Sequence, residues 1–204
     1  MSRARVTFTR NIGVSAVFGG LSFALSALTT PFLPRMPGWG IAFVDPVSII
    51  WMTTYLIFGL TVGLTTSLIG TIGLMFFDPF TPIGPLMKLF ATLPLIIALD
   101  LGMRIFGFKP YSGNSLRPLK RYVPLSLIGI VGRIVIMTMM NVALFLTIFS
   151  LNFAHINLLG VELSSWDAVV VVAILINAEQ SIWDCAVPYL LSFSAELYDE
   201  FRFW

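Results

Sequence analysis

The chain is poor in the residues that most catalytic and soluble designs depend on. Only 11% of its 204 residues are Asp, Glu, Lys or Arg, and it has one cysteine and one histidine. A lone Cys185 excludes an internal disulfide framework and leaves the redox compartment open. A lone His155 in a polar connection offers no metal-ligand cluster. No G-x-x-x-x-G-K-S/T pattern occurs, which excludes nucleotide hydrolysis through a P-loop. The net charge of +2 is small, and most basic residues sit at the ends of apolar runs or between them rather than in one patch, so no nucleic-acid partner is expected. Nothing in the sequence calls for a bound cofactor.

What the chain has instead is apolar length. It is 57% hydrophobic, with a mean hydropathy of +0.93. Apolar runs cover 11–31, 46–77, 84–104, 122–151 and 166–193. They are continuous rather than alternating, which argues for membrane helices and against an outer-membrane barrel. The start MSRARVTFTR resembles the basic head of a signal peptide, but the run behind it is long for a signal core and lacks a small-x-small site before Pro31. It is expected to remain as the first helix.

The 46–77 run decides the span count. At 1.5 Å per residue it would be about 48 Å long, against a hydrocarbon core of about 30 Å. It is either one steeply tilted helix or two short ones turning near Gly59–Gly63. Arg3, Arg5 and Arg10 precede the first run, and Arg104, Lys109, Arg117, Lys120 and Arg121 follow the fourth. Both groups belong inside, so an even number of crossings separates them. The expectation is an all-α bundle of six spans, 11–31, 46–60, 62–77, 84–104, 122–151 and 166–193, in the plasma membrane with both termini cytoplasmic. The terminal SAELYDEFRFW is amphipathic and is expected at the inner interface.

Five charges fall well inside the apolar runs, Lys88, Asp100, Arg133, Glu179 and Asp184, while Arg104 and Asp167 stand at run ends. Each uncompensated central charge costs roughly 2.5–3.5 kcal/mol. Asp100 and Arg104 stand i,i+4, which suits a local ion pair. Lys88, near the outer end of its span, either snorkels to the headgroups or reaches a ligand. Arg133 and Glu179 lie at similar depth on antiparallel spans and are expected to form a structural ion pair, or a polar relay. Met137 and Asn141 share the Arg133 face. Asn177, Gln180 and Asp184 form one stripe and Glu179 points elsewhere. An amide pair on one stripe serves either the polar edge of a heterocycle or helix–helix hydrogen bonding. Trp39, Phe43, Trp51 and Tyr55 are candidates for a stacking wall or for interfacial anchors. Two rows of small residues, Ala16–Gly20–Ala24 and Gly59–Gly63–Ser67, permit close helix contact, inside the bundle or with a partner.

The six short spans, the Ala16–Gly20–Ala24 row, the Pro-rich loop before Asp45-Pro46 and the turn Pro82-Ile83-Gly84-Pro85 leading to Lys88 resemble the membrane-embedded substrate-binding components of energy-coupling factor transporters. The run Arg133-Ile134-Val135-Ile136-Met137-Thr138-Met139-Met140-Asn141 looks most like the riboflavin-specific branch, where R-x-x-x-M-T-x-x-N-like runs recur on the fifth span. That branch often carries Lys three residues after an Asn on its last span; here Asn177 is followed by Gln180. The resemblance implies capture of a vitamin-like small molecule from outside, with a membrane coupling subunit and two cytosolic ATPase subunits as partners. It implies that the Ala16–Gly20–Ala24 face meets the coupling subunit.

The ligand site is expected in the outer half of the bundle, from Lys88, Asn141, Asn177, Gln180, Asp45, Trp39 and Met137. Two other readings remain open: a stand-alone or ion-coupled carrier, and an intramembrane enzyme using Glu179 or Asp184. For the enzyme the sequence offers no second catalytic carboxylate, nucleophile–base pair or metal cluster at convincing spacing, so a non-enzymatic role is expected.

Overall fold

The computed structural model describes residues 3–36, 39, 41–149, 151, 154–158, 160–201 and 204. Its helices are α1 (Arg3–Thr29), α2 (Pro46–Phe58), α3 (Leu60–Leu74), α4 (Ile83–Ile105), α5 (Leu119–Thr147), α6 (Ser165–Tyr189) and the short α7 (Leu197–Phe201). A hairpin of β1 (His155–Leu158) and β2 (Val161–Ser164) joins α5 to α6. The chain is thus an all-α protein. Four of its helical stretches, Phe8–Thr29, Ile83–Ile105, Leu119–Thr147 and Ser165–Ser194, are long and apolar enough to cross a membrane. The other two, α2 and α3, have 13 and 15 residues. At 1.5 Å per residue they are about 20 and 22 Å long, short of a full hydrocarbon core.

The 46–77 run is two helices, and Gly59 is where they part. Its φ of +88° and ψ of 177° belong to a region that only glycine occupies readily. Asp45 starts α2 by accepting the Val47 N–H at 3.0 Å, with Pro46 in the first turn, where its missing N–H costs nothing. The pair turns back on itself: a Cβ at Gly63 would strike Tyr55, and one at Gly70 would strike the Trp51 indole. Gly63 and Gly70 thus let α3 close against α2. Residues Trp51 to Phe58 of α2 are all buried, enclosed by α1, α3, α4 and α6.

On α1 the inward face is Ser15, Gly19, Ser22 and Ser26 rather than the Ala16–Gly20–Ala24 row. Ser15 bonds Thr65, Gly19 sits under Ile69, and the Ser22 hydroxyl accepts the Trp51 indole N–H at 3.0 Å. Ala16 and Ala24 are exposed, and nothing lies within 4 Å of a Cβ built on Gly20. The row therefore takes no part in packing within the bundle.

The terminal segment ends in a short helix that packs against the end of the bundle. A π-turn at Leu190–Ser194 redirects the chain and α7 folds back beneath α2. The Trp204 indole donates to the Leu56 carbonyl at 3.1 Å, supplying a partner for one of the carbonyls α2 leaves open at its end. Its ring covers Gly59 and packs on Tyr55.

Candidate functional site

The ends of α1, α3 and α5, the beginnings of α2, α4 and α6, and the loops between them enclose a cavity of about 680 Å³. Its wall includes Lys88, Asn141, Asn177, Gln180, Asp45, Trp39 and Met137, all of the residues named for the ligand site from the sequence. Most of the wall is apolar, with Phe77, Phe80, Phe145 and Phe149 among its aromatics. Among the described residues, five charged side chains line it: Arg35, Asp45, Asp78, Lys88 and Arg133.

The polar floor is built on Arg133, which is 1% exposed. Its Nε–H donates to Asn177 Oδ1 at 3.1 Å, its Nη2 to Gln180 Oε1 at 2.8 Å and its Nη1 to Asp184 Oδ2 at 2.5 Å. Asp184 is fully buried. The ion pair expected between Arg133 and Glu179 does not form. Glu179 stands about 200° round α6 from Asn177, whereas Asp184 returns to within about 20° of it. Glu179 instead accepts the Trp183 indole N–H at 2.7 Å on the outward face. Asp184, placed on the right stripe but left out of the site, is the residue that sequence reasoning missed. Its signal was that stripe: an acid at i+7 from an amide facing an arginine.

The other polar residues are tied to the loop over the cavity. Lys88 Nζ lies 3.1 Å from Asp45 Oδ2, so Asp45 caps α2 with one oxygen and pairs Lys88 with the other. Gln180 Nε2 donates to the Ala42 carbonyl at 2.5 Å. The Trp39 indole donates to the His155 carbonyl at 3.1 Å and its ring leans on Phe145 at 5.9 Å. Asn141 Nδ2 donates to the Met137 carbonyl at 2.8 Å. His155 thus contributes a backbone group to the loop contact.

Of the four aromatics considered for a stacking wall, only Trp39 lines the cavity. Trp51 and Tyr55 are fully buried in the bundle core, because α2 is surrounded on all sides. Phe43 is half-buried and lies outside the cavity wall.

At the opposite end, Asp100 and Arg104 form the local pair at 2.9 Å, and the Tyr111 hydroxyl donates to Asp100. Burial, reinforced by that hydrogen bond, raises the Tyr111 phenol above its usual range, so it stays protonated and donating. Among the described residues, no group of three or more His, Cys, Asp or Glu is placed to hold a metal ion. Comparison with protein-family models, curated proteins and solved structures finds no match.

Proposed function

We propose that the chain is the substrate-capture subunit of an energy-coupling-factor-type uptake transporter, with a vitamin-like small molecule as its ligand and riboflavin as the best single candidate. The observation that carries the reading is the cavity. Its volume of about 680 Å³ falls in the range of roughly 300–1,000 Å³ typical of small-molecule sites. Apolar walls with a few fixed polar groups are what such sites need.

In this reading the chain lies in the plasma membrane with six crossings, α2 and α3 being short antiparallel ones, and both termini cytoplasmic. The cavity opens outward, away from Lys109, Arg117, Lys120 and Arg121. Without a P-loop, the energy comes from two cytosolic ATPase subunits through a membrane coupling subunit. The outward Ala16–Gly20–Ala24 row gives that subunit a surface of close approach.

The purified protein tests the ligand. A yellow preparation absorbing at the flavin bands, with riboflavin in its native mass spectrum, is expected. A colourless protein that fails to bind added riboflavin contradicts it.

One observation favours a second reading, a stand-alone ion-coupled carrier. Asp184 Oδ1 is buried beneath the cavity with no partner among the described residues. Uptake into liposomes containing this chain alone would support the carrier and displace the capture subunit.

A further inference from the structure

Arginine can only donate hydrogen bonds. This fixes the orientation of the amides around it. Asn177 Oδ1 and Gln180 Oε1 both face Arg133, so each spends a lone pair there and is turned toward the guanidinium. Each amide nitrogen carries two hydrogens. One on Asn177 goes to the Ala173 carbonyl and one on Gln180 goes to the Ala42 carbonyl. Each nitrogen keeps one N–H, on the side of the amide turned away from Arg133. Lys88, held by Asp45, is another group with donors and no acceptor. Charge is already balanced: Asp184 lies against Arg133 and Asp45 against Lys88.

We infer that Arg133 is a positioning residue that turns the oxygens of Asn177 and Gln180 toward itself and their nitrogens away, so that these two amides present N–H groups and favour an uncharged ligand offering acceptors such as ring carbonyls or imine nitrogens. This deepens the capture reading and rests on it for the choice of probe. A ligand offering an N–H to these nitrogens would leave two donors facing each other, while a carboxylate or phosphate at the floor would find Arg133 and Lys88 already paired with Asp184 and Asp45. Without Arg133 the amides are free to turn, and the selection is lost.

Asn177 provides the test. Asn177→Asp keeps an oxygen for Arg133 and puts a charged acceptor in place of the nitrogen, which also loses the bond to the Ala173 carbonyl. Asn177→Leu removes both. Riboflavin is titrated into each purified variant, and thermal unfolding is followed without ligand for Arg133→Met, Asn177→Leu and the double variant. The inference expects Asn177→Asp to weaken riboflavin binding by about tenfold or more, at least as much as Asn177→Leu. It expects the stability effects of Arg133→Met and Asn177→Leu to be non-additive, since their side chains share one hydrogen bond.

Wild-type affinity in Asn177→Asp would mean that the ligand uses an acceptor there and would overturn the inference. Additive stability effects would overturn it too, and they decide the matter if Asn177→Asp does not fold. A wild-type chain that ignores riboflavin, with the coupling between Arg133 and Asn177 present, overturns the flavin reading and supports the donor orientation of the floor.

Discussion

At the scale of residues, the buried Arg133–Asp184 pair dominates. A charge pair removed from water gains little over an apolar replacement, but a single charge left behind is costly. Arg133→Leu or Asp184→Leu alone is expected to cost roughly 3–5 kcal/mol. Arg133→Met combined with Asp184→Leu should recover most of that loss in stability while losing ligand binding. Thermal unfolding of the four proteins in one detergent checks it, and equal destabilisation in the double variant would show that the pair is not what holds α5 to α6. The partner of Arg133 was only partly legible in the sequence. Depth alone offers Glu179, because two antiparallel helices bring residues of similar depth level. Facing decides otherwise: at about 100° per residue, Asp184 falls back on the Asn177–Gln180 stripe and Glu179 does not. Loss of an amide at the cavity has a second consequence. Asn141→Leu or Asn177→Leu leaves a ligand polar group unpaired, at a cost of about 1–3 kcal/mol, or about 5- to 150-fold in affinity. Unchanged riboflavin affinity in both folded variants would remove these residues from the site.

At the scale of elements, the break between α2 and α3 was readable because an apolar run about 48 Å long allows one tilted helix or two short ones, and the basic segments on either side require an even number of crossings. Gly59 makes the break with a conformation that other residues adopt at a cost of order 1–3 kcal/mol. Gly59→Ala also pushes a methyl group against the Trp204 ring, about 3.0 Å from a built Cβ. It should lower stability by at least about 1 kcal/mol, while Gly107→Ala, which also has a positive φ but open space around it, should cost less. The β1–β2 hairpin was not legible: its strands have four residues each, too short for an alternating pattern to stand out. The role of the α1 rows was half legible. Small residues marked both faces, and only packing shows that Ser15, Gly19 and Ser22 turn inward while Ala16 and Ala24 do not. Ala16→Leu and Gly20→Leu should therefore leave riboflavin affinity and thermal stability of the isolated chain unchanged and impair uptake by the complete assembly. Parallel loss of binding and stability would show instead that the row packs within the bundle.

At the scale of the whole molecule, one end holds the cavity and its loops, and the other holds the basic 106–118 connection and the folded-back α7. A bundle of this kind was legible from hydropathy and charge, because continuous apolar runs and the distribution of Lys and Arg act over many residues at once. The cavity itself was legible only as a convergence of polar positions. Its closure depends on side chain-to-backbone bonds such as Gln180 to Ala42, which no periodicity announces. Asn114 is exposed in the basic connection. In a Cys185→Ser background, Asn114→Cys should react with a membrane-impermeant thiol reagent only from the cytoplasmic side, and reaction from outside would invert the topology. The most direct measurement is a titration of riboflavin fluorescence outside sealed vesicles that carry the chain alone, with the cavity facing out. Quenching that saturates at about one riboflavin per chain, with no flavin accumulating inside, is the predicted result; no quenching, or flavin accumulating in the lumen without any partner subunit, would contradict capture as the function of this protein.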